Sequence, residues 1–474
     1  MRQAQLFLDG AWRDGADTYL LTDKYTGADL AEVHVPDAEQ VDRALGAVAR
    51  SVEAGSPTAY ERASMLLTAS ATVARRRDEF VDTLITDTGF TLADAEKEVG
   101  RAVETLQLCG EEAKRIAGRM VPLEGGPGIS GRLGFTLRKP LGVVCAITPF
   151  NSPLNTVCHK IGPALAAGNG VALKPAAETP LTSELLVRVL LEAGVPEGLL
   201  ALLPGGAEVG QMLLDHPVPA FYAFTGSTAV GEHIAKTVGL RRTQLELGSL
   251  ASTIVCRDAD LDRAAGLCVN AAFRKAGQVC TSVQRLYVER SAIDEVGRLV
   301  AKKLEGRPVG DPRAPDAFVG PVISTAAADR IETWVRDAVD GGASVVQGGT
   351  REAAVIAPTV LTDVTADMEV MTKEIFGPVV VLRPFDDLDA AIVEANDTPY
   401  GLAAGVFTSN LDRALDAAQR LRVGTVHINE TSSSRVDLMP FGGVKASGTG
   451  VEGPRYAIEE MTEETLITIG RSGG

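Results

Sequence analysis

The chain has 474 residues, of which 45% are hydrophobic and 23% are charged, and its formal net charge is −16. This length predicts two or more domains, and the composition is typical of a globular enzyme. The negative charge argues against nucleic acid and anionic membrane surfaces as partners. The most apolar stretch, Leu141 to Ala146, is far shorter than the roughly 20 residues of a transmembrane helix. The N-terminus carries no apolar leader, so we expect a cytoplasmic protein with no membrane partner.

Helical periodicity marks residues 41–117, and short apolar runs alternate with amphipathic stretches from residue 142 onward. The predicted order is a strand at 142–147, a helix at 154–167, a strand at 170–173, a helix at 180–193 that ends at Gly194, and a strand at 200–203. Strands that alternate with helices form a parallel sheet. The fold class is therefore α/β.

A second α/β unit follows from about residue 249 to 445, with strands predicted at 285–288 and 344–346. Two segments belong to neither unit. Residues 129–139 alternate polar and apolar side chains, which predicts an exposed ribbon that ends at Pro140. The segment Glu464 to Ile469 predicts one short strand without a local partner, and such an edge invites pairing with another chain.

The six cysteines show no CxxC pair and no Cys/His ligand spacing, so neither a disulfide framework nor a metal site is predicted. One of them, Cys280, follows Glu246 by 34 residues (280 − 246), and a Phe224-Thr225-Gly226-Ser227 turn precedes both. A free cysteine is more often an inert buried side chain. A thiol, a carboxylate and a Gly/Ser turn able to hold phosphate together indicate covalent redox catalysis on a carbonyl with a nicotinamide cofactor.

With these residues in this order, the chain resembles the aldehyde dehydrogenases from about Phe7 to Ile469. The resemblance is carried by Pro149-Phe150-Asn151-Ser152-Pro153-Leu154, Lys174-Pro175, the turn from Phe224 to Gly231, the Glu246 and Cys280 segments, Glu374-Ile375-Phe376-Gly377-Pro378, Tyr400-Gly401-Leu402 and Pro440-Phe441-Gly442-Gly443-Val444-Lys445. It implies a Rossmann-like domain that binds NAD or NADP (1–121 and 141–248) and a catalytic domain (249–446). A ribbon and C-terminal strand (122–140 and 461–474) would serve oligomerisation into a homodimer or homotetramer, with 447–460 as a return segment.

The resemblance assigns a role to three catalytic residues. Cys280 is the nucleophile, Glu246 is the general base that activates water, and Asn151 donates to the oxyanion of the adduct. The residues implied for the cofactor are Ile147, Thr148, Pro149, Phe150, Lys174, Ala177, Gly206, Gly210, Phe224, Thr225, Gly226, Ser227, Val230, Leu247, Gly248, Glu374 and Phe376.

Two departures from the family pattern affect these expectations. Ala177 stands where NAD-preferring members often carry a glutamate that binds the adenosine ribose, and its absence modestly favours NADP or dual use. Ser249 replaces a glycine just after Glu246. If that position requires a positive φ, the serine is strained and the loop that carries the base is altered.

The predicted substrate pocket contains Arg101, Arg435, Ser152, Val279 and Thr281. In the resembled family, arginines at the first two positions are typical of enzymes for small anionic aldehydes. The alternative is that both arginines are surface residues paired with nearby acids. Other functions remain open: a dehydrogenase of neutral or semialdehyde substrates, an impaired member with a structural or binding role, and a Cys/His hydrolase, which no histidine motif supports.

Overall fold

The computed structural model describes residues 2–470 as five β-sheets and their covering helices. The strands are β1 (Arg2–Ala4), β2 (Leu6–Leu8), β3 (Ala11–Arg13), β4 (Asp17–Thr22), β5 (Asp29–Val35), β6 (Met120–Val121), β7 (Leu133–Pro140), β8 (Val143–Ile147), β9 (Gly170–Lys174), β10 (Leu200–Leu202), β11 (Pro219–Thr225), β12 (Arg242–Glu246), β13 (Ser252–Val255), β14 (Arg285–Glu289), β15 (Ser344–Gln347), β16 (Arg351–Glu352), β17 (Val355–Ile356), β18 (Thr359–Thr362), β19 (Val379–Phe385), β20 (Ala403–Phe407), β21 (Thr425–Ile428), β22 (Gly448–Thr449) and β23 (Thr462–Ile469). The α-helices are α1 (Ala38–Glu53), α2 (Ala59–Arg75), α3 (Arg77–Thr88), α4 (Leu92–Ala113), α5 (Asn155–Ala167), α6 (Pro180–Glu192), α7 (Ala207–Asp215), α8 (Thr228–Val238), α9 (Leu261–Phe273), α10 (Ile293–Leu304), α11 (Thr325–Asp340), α12 (Glu369–Thr372), α13 (Leu388–Asn396), α14 (Leu411–Arg420) and α15 (Pro454–Glu460).

The largest sheet has eight strands in the order β22-β12-β11-β8-β9-β10-β2-β3, and its four central pairings from β12 to β10 are parallel. Its central strands β8 and β9 are buried along their whole length because both faces are covered. One face packs against α1, α7 and α8, and the other packs against α2 to α6.

The second sheet has seven strands in the order β15-β18-β19-β14-β13-β20-β21, and only the β15–β18 pair is antiparallel. Its buried apolar side chains form a separate core with α9, α10 and α11. The predicted strands at 285–288 and 344–346 are β14 and β15, which confirms the local predictions. The domain boundaries given above stay a proposal.

The elements predicted for residues 142–203 are confirmed within one or two residues. The strand at 142–147 is β8, the helix at 154–167 is α5, and the strand at 170–173 is β9. The helix α6 ends at Glu192, and Gly194 has a φ of 92°, the left-handed conformation that glycine adopts at little cost. The alternating pattern therefore located the parallel sheet correctly.

The C-terminal strand was predicted to lack a local partner, and that prediction is wrong. In the structure β23 pairs antiparallel with β7 over its whole length, from Thr462 opposite Pro140 to Ile469 opposite Leu133. The pairing joins segments more than three hundred residues apart, so a local sequence pattern could not reveal it. Within residues 2–470, the other edge of β23 is unpaired, since the sheet order is β23-β7-β6.

Among the described residues, no helix combines the length and the apolarity that crossing a membrane requires. Within residues 2–470, no group of three or more His, Cys, Asp or Glu side chains is arranged to hold a metal ion.

We expect the free edge of β23 to be a contact between subunits. Deleting residues 464–474 removes most of the strand and leaves the backbone of β7 from Leu133 to Arg138 without its pairing partner. We expect sedimentation of the truncated protein to show smaller species or aggregates, because an exposed edge strand pairs with other chains. Glu464→Ala, which removes the ion pairs to Arg119 and Arg138 but leaves the strand in place, is the matched control. A truncated protein that sediments like the intact one would exclude this strand as the subunit contact.

Candidate active site

The strand register places the ends of four parallel strands at one edge of the large sheet. Ile147 lies opposite Lys174 and Phe224, and Thr225 lies opposite Glu246. In open parallel sheets, ligands bind at the carboxyl ends of the strands. The predicted cofactor residues on these strands and the predicted base are therefore brought together at one edge.

Cys280 faces this edge from the second unit. It follows α9 through a left-handed turn in which Lys275, Ala276 and Gly277 all have positive φ. A Cβ on Gly277 would lie 2.0 Å from the carbonyl oxygen of Gly377, so only glycine fits there. The sharp turn presents the partly exposed Cys280 to a cavity of about 640 Å³ that is open to solvent.

The pKa of Cys280 is raised to about 12, first by burial and then by the negative charge of Glu374, against which Arg435 acts. The thiol is therefore protonated at neutral pH. A nucleophilic thiolate would need a base or a nearby positive charge when the reaction begins.

Asn151 lies across the cavity from the thiol. Its Nδ2 donates to the carbonyl oxygen of Gln278 at 2.8 Å, which leaves the second amide hydrogen free for another acceptor. The backbone N–H of Cys280 has no acceptor within residues 2–470. These two donors border the place where a carbonyl oxygen would lie.

Glu246 is the last residue of β12 and is only 4% exposed. Neither carboxylate oxygen has a hydrogen-bond partner among the described residues. Burial, followed by the charge of Glu452, raises its pKa well above the usual range, and Lys160 acts in the opposite direction. A buried carboxyl with free oxygens and a raised pKa suits proton transfer to and from a ligand or water in the cavity.

Ser249 does not have a positive φ, so the strain considered for this position is not present. Its backbone N–H instead donates to Glu374 Oε1 at 3.0 Å. Burial raises the pKa of Glu374 to about 7, while that N–H acts against the shift. Glu374 shares a small recess with Ser249, Phe376 and Cys280.

The predicted cofactor groove contains polar groups that the protein leaves unused. Among the described residues, the buried hydroxyls of Thr148 and Thr225 have no partner. Lys174 is 7% exposed, and its Nζ reaches only the carbonyl of Pro175 at 3.3 Å. Burial lowers the pKa of this lysine to about 8, against the charge of Glu178. An uncompensated buried ammonium and orphan hydroxyls fit the ribose and phosphate groups of a dinucleotide.

The glycine turn lies beside the N-terminus of α8. A Cβ on Gly226 would lie 2.4 Å from the Phe224 ring, so this position also requires glycine. Ser227 caps the helix by accepting the Val230 N–H at 3.4 Å. The remaining N–H groups of the first turn, at the positive end of the helix dipole, suit a pyrophosphate.

The other predicted cofactor residues lie around this groove. Ala177 follows β9, and its carbonyl accepts from Tyr19 Oη at 2.6 Å, whereas Glu178 is exposed. Phe150 and Phe376 meet edge to face with ring centres 5.7 Å apart. The remaining ones are Pro149 in the loop after β8, Gly206 and Gly210 at the start of α7, and Leu247 and Gly248 after β12.

Arg101 and Arg435 both line the cavity, but each already has a carboxylate partner. Arg101 binds Asp437 through Nε at 3.1 Å and Nη2 at 2.6 Å. Arg435 pairs with Glu452 and stacks on the Phe441 ring at 3.9 Å. The two arginine side chains are 20% and 17% exposed, whereas the side chains of both carboxylate partners are buried. They are neither free cations nor surface pairs.

Sequence reasoning missed a third arginine at the same cavity. Arg274 donates to Ser433 Oγ at 2.7 Å, and no carboxylate lies within ion-pair distance of it among the described residues. Its pKa is lowered by burial and by the charge of Arg101. Its position six residues before Cys280, where a helix ends, is the signal that could have revealed it.

The other predicted pocket residues also lie at this cavity. Thr281 Oγ1 is 3.1 Å from Ser433 Oγ, and Ser152 Oγ donates to Glu98 at 2.6 Å. Val279 lines the wall between them. The pocket thus combines three arginines, several hydroxyls and the thiol.

Comparisons with known proteins agree with this geometry. The sequence pattern of the aldehyde dehydrogenase family matches residues 12–467. A 3-sulfolactaldehyde dehydrogenase from Priestia aryabhattai is 45% identical over 470 residues, which cover 99% of this chain and 98% of that protein. Aldehyde dehydrogenase 21 from Physcomitrella patens, solved with the reaction product succinate, superposes with a TM-score of 0.96 at 35% identity, covering 100% of this chain and 99% of that one.

A third similar protein carries a cofactor. The NADP-dependent glyceraldehyde-3-phosphate dehydrogenase from Bacillus halodurans C-125, solved with NADP, has a TM-score of 0.96 at 32% identity and covers 99% of this chain and 100% of that one. The family match and the orphan polar groups of the groove agree on a nicotinamide cofactor. The chain belongs to the aldehyde dehydrogenase family and is an NAD(P)-dependent oxidoreductase.

Proposed function

We propose that this enzyme oxidises a short aldehyde that carries an anionic group at its far end, such as a sulfonate or carboxylate. The observation that carries the proposal is the single cavity in which Arg101, Arg274 and Arg435 face a thiol. Arg274, with no carboxylate partner among the described residues, supplies the positive charge that an anion would neutralise. The names of two similar proteins, which mention sulfolactaldehyde and succinate, support the same substrate class.

Cys280 Sγ is the proposed nucleophile. As an S–C bond forms between Cys280 Sγ and the carbonyl carbon, the carbonyl π electrons move to oxygen and the thiol proton passes to solvent, to which the cavity is open. The second amide hydrogen of Asn151 and the Cys280 N–H donate to that oxyanion, and one such donor contributes about 3 kcal/mol. Bound NAD or NADP supplies the hydride acceptor of the reaction.

Glu246 acts in the second half of the reaction. Its free carboxylate oxygens take a proton from water, and the resulting hydroxide attacks the thioester on Cys280. The C–S bond breaks, the acid product leaves, and the Cys280 thiolate takes back the proton that Glu246 accepted, which restores both groups. Because Glu246 has no hydrogen-bond partner among the described residues, its oxygens are available for this water.

The groove residues would hold either cofactor, with NADP modestly favoured. Lys174 offers an ammonium that forms no ion pair among the described residues, and Ala177 offers no carboxylate that would repel a 2′-phosphate. A homodimer or homotetramer and a cytoplasmic location stay predictions.

Glu246→Gln tests the proposed base. We expect one equivalent of reduced cofactor to form rapidly and turnover then to stall, since the thioester accumulates when water is not activated. The wild-type deacylation rate should rise with pH through the raised pKa of Glu246, because only the deprotonated form accepts a proton. Stopped-flow absorbance between about pH 5 and 9 measures both effects. Steady turnover in the variant would mean that another group acts as the base.

Ala177→Glu tests the cofactor groove. The new carboxylate would accept from the ribose hydroxyls of NAD and repel the 2′-phosphate of NADP. We expect the ratio of kcat/KM with NADP to that with NAD to fall by about tenfold or more, equivalent to about 1.4 kcal/mol. Ala177→Gln is the uncharged control of the same size. An unchanged ratio would show that residue 177 does not face the ribose.

Arg274→Leu tests the substrate class. Arg101→Leu and Arg435→Leu would each remove the arginine partner of a buried carboxylate, which destabilises the fold, so Arg274 gives the cleaner result. We expect kcat/KM for 3-sulfolactaldehyde or succinate semialdehyde to fall roughly 30-fold, about 2 kcal/mol. Activity on a neutral aldehyde of similar length should change little, and Arg274→Lys should retain part of the preference.

The wild-type substrate panel completes this test, with Cys280→Ser as the inactive reference. A wild type that prefers hexanal or benzaldehyde would contradict the anionic-substrate proposal. It would favour the neutral-aldehyde alternative and leave the arginines with a structural role.

A further inference from the structure

The turn before Cys280 has an unusual backbone. Lys275 and Ala276 both have φ of 52°, and Gly277 follows at 71°. Side chains disfavour this left-handed region, so two consecutive non-glycine residues persist there only where surrounding contacts hold them. The contacts of Lys275 therefore determine how the chain approaches the thiol.

The backbone of Lys275 is held from two sides. Its N–H donates to Asp94 Oδ2 at 2.8 Å, and α4 carries that aspartate. Its carbonyl oxygen accepts from the N–H and the Nε2 of Gln278, at 3.1 and 3.2 Å. The turn is thus fixed to a helix of the cofactor-binding half of the molecule.

The side chain of Lys275 reaches the oxyanion side of the cavity. The ammonium, 6% exposed, donates to Glu98 Oε2 at 2.7 Å and to the backbone carbonyl of Asn151 at 3.0 Å, and it lies 4.5 Å from the centre of the Phe90 ring. Asn151 in turn donates through Nδ2 to Gln278. Lys275 and Gln278 therefore contact the two ends of Asn151.

Glu98 anchors this arrangement from α4. Its Oε1 accepts from Ser152 Oγ at 2.6 Å and from the Asn155 N–H at 2.8 Å, while Oε2 receives the ammonium of Lys275. Although burial acts to raise it, the positive charges of Lys275 and Arg101 hold the pKa of Glu98 below its usual range. The carboxylate is therefore ionised and joins the loop after β8 to the turn before Cys280.

We propose that Lys275 is a positioning residue that fixes Asn151 and the Cys280 N–H at the separation needed to hold the oxyanion. It acts through Asn151 and does not touch the reacting atoms. An ion pair with Glu98 alone would satisfy the charge of Lys275. The ammonium of Lys275 also binds the backbone carbonyl of Asn151, the proposed oxyanion donor. The inference rests on the proposed roles of Asn151 and Cys280.

Lys275→Met, which keeps a long unbranched side chain without charge, is the test. In single turnovers with enzyme in excess, we expect cofactor reduction to slow about 10- to 100-fold, because misplacing one oxyanion donor loses most of its contribution. The KM for the aldehyde should stay within about threefold, since other residues hold the substrate. Alkylation of Cys280 by iodoacetamide should also stay within about threefold, because the thiol itself is unchanged.

Glu98→Gln removes the negative charge that the ammonium of Lys275 binds, and it should also slow cofactor reduction in single turnovers. The double variant should be little worse than the slower single variant, because the two residues act as one unit. Lys303→Met, in an ion pair with Asp262 far from the cavity, is the matched control and should be unaffected.

A single-turnover rate within twofold of wild type, with only a lower melting temperature, would overturn the proposal. If Lys275→Met does not fold, the same criterion is applied to the single-turnover rate of Glu98→Gln. Cys280→Ser, measured in parallel, separates this result from a failure of the proposed function: turnover in that variant would overturn the nucleophile, whatever Lys275 does.

Discussion

The parallel register of β8, β9, β11 and β12 fixes the position of the whole site. Because the strands end level with one another, Ile147, Lys174, Thr225 and Glu246 reach the same edge of the sheet. If one of these strands shifted its register by one residue, its side chains would turn to the opposite face of the sheet. The apolar packing on both faces of the sheet therefore holds the cofactor groove and the proposed base in place.

The second constraint is electrostatic. Ion pairs with buried carboxylates surround the cavity, among them Arg101 with Asp437 and Lys275 with Glu98. Buried pairs contribute little net stability, but removing one member is strongly destabilising. Their value here is geometric, because each pair joins segments that carry different parts of the proposed chemistry. The same pairs neutralise most of the charge and leave Arg274 as the cation available to a ligand.

The alternation of strand and helix patterns predicted the α/β fold, and the family resemblance named most of the residues that surround the thiol, although not Arg274. Cys280, Glu246 and Asn151 lie in short segments whose residue types indicate their predicted roles. The structure brings these three residues to one cavity. The partners of the arginines could not be predicted, because Asp437 lies 336 residues from Arg101 and carries no motif. The pairing of β23 with β7 was missed for the same reason: long-range contacts depend on packing, which local patterns do not encode.

The protonated state of Cys280 affects how fast oxidants react with this thiol. Peroxide and similar oxidants attack the thiolate, so a thiol whose pKa is about 12 forms sulfenic acid slowly at neutral pH. The other five cysteines are buried, and their pKa values are raised by burial as well. All six free thiols therefore stay protonated at neutral pH, including Cys280, which alone among them is partly exposed.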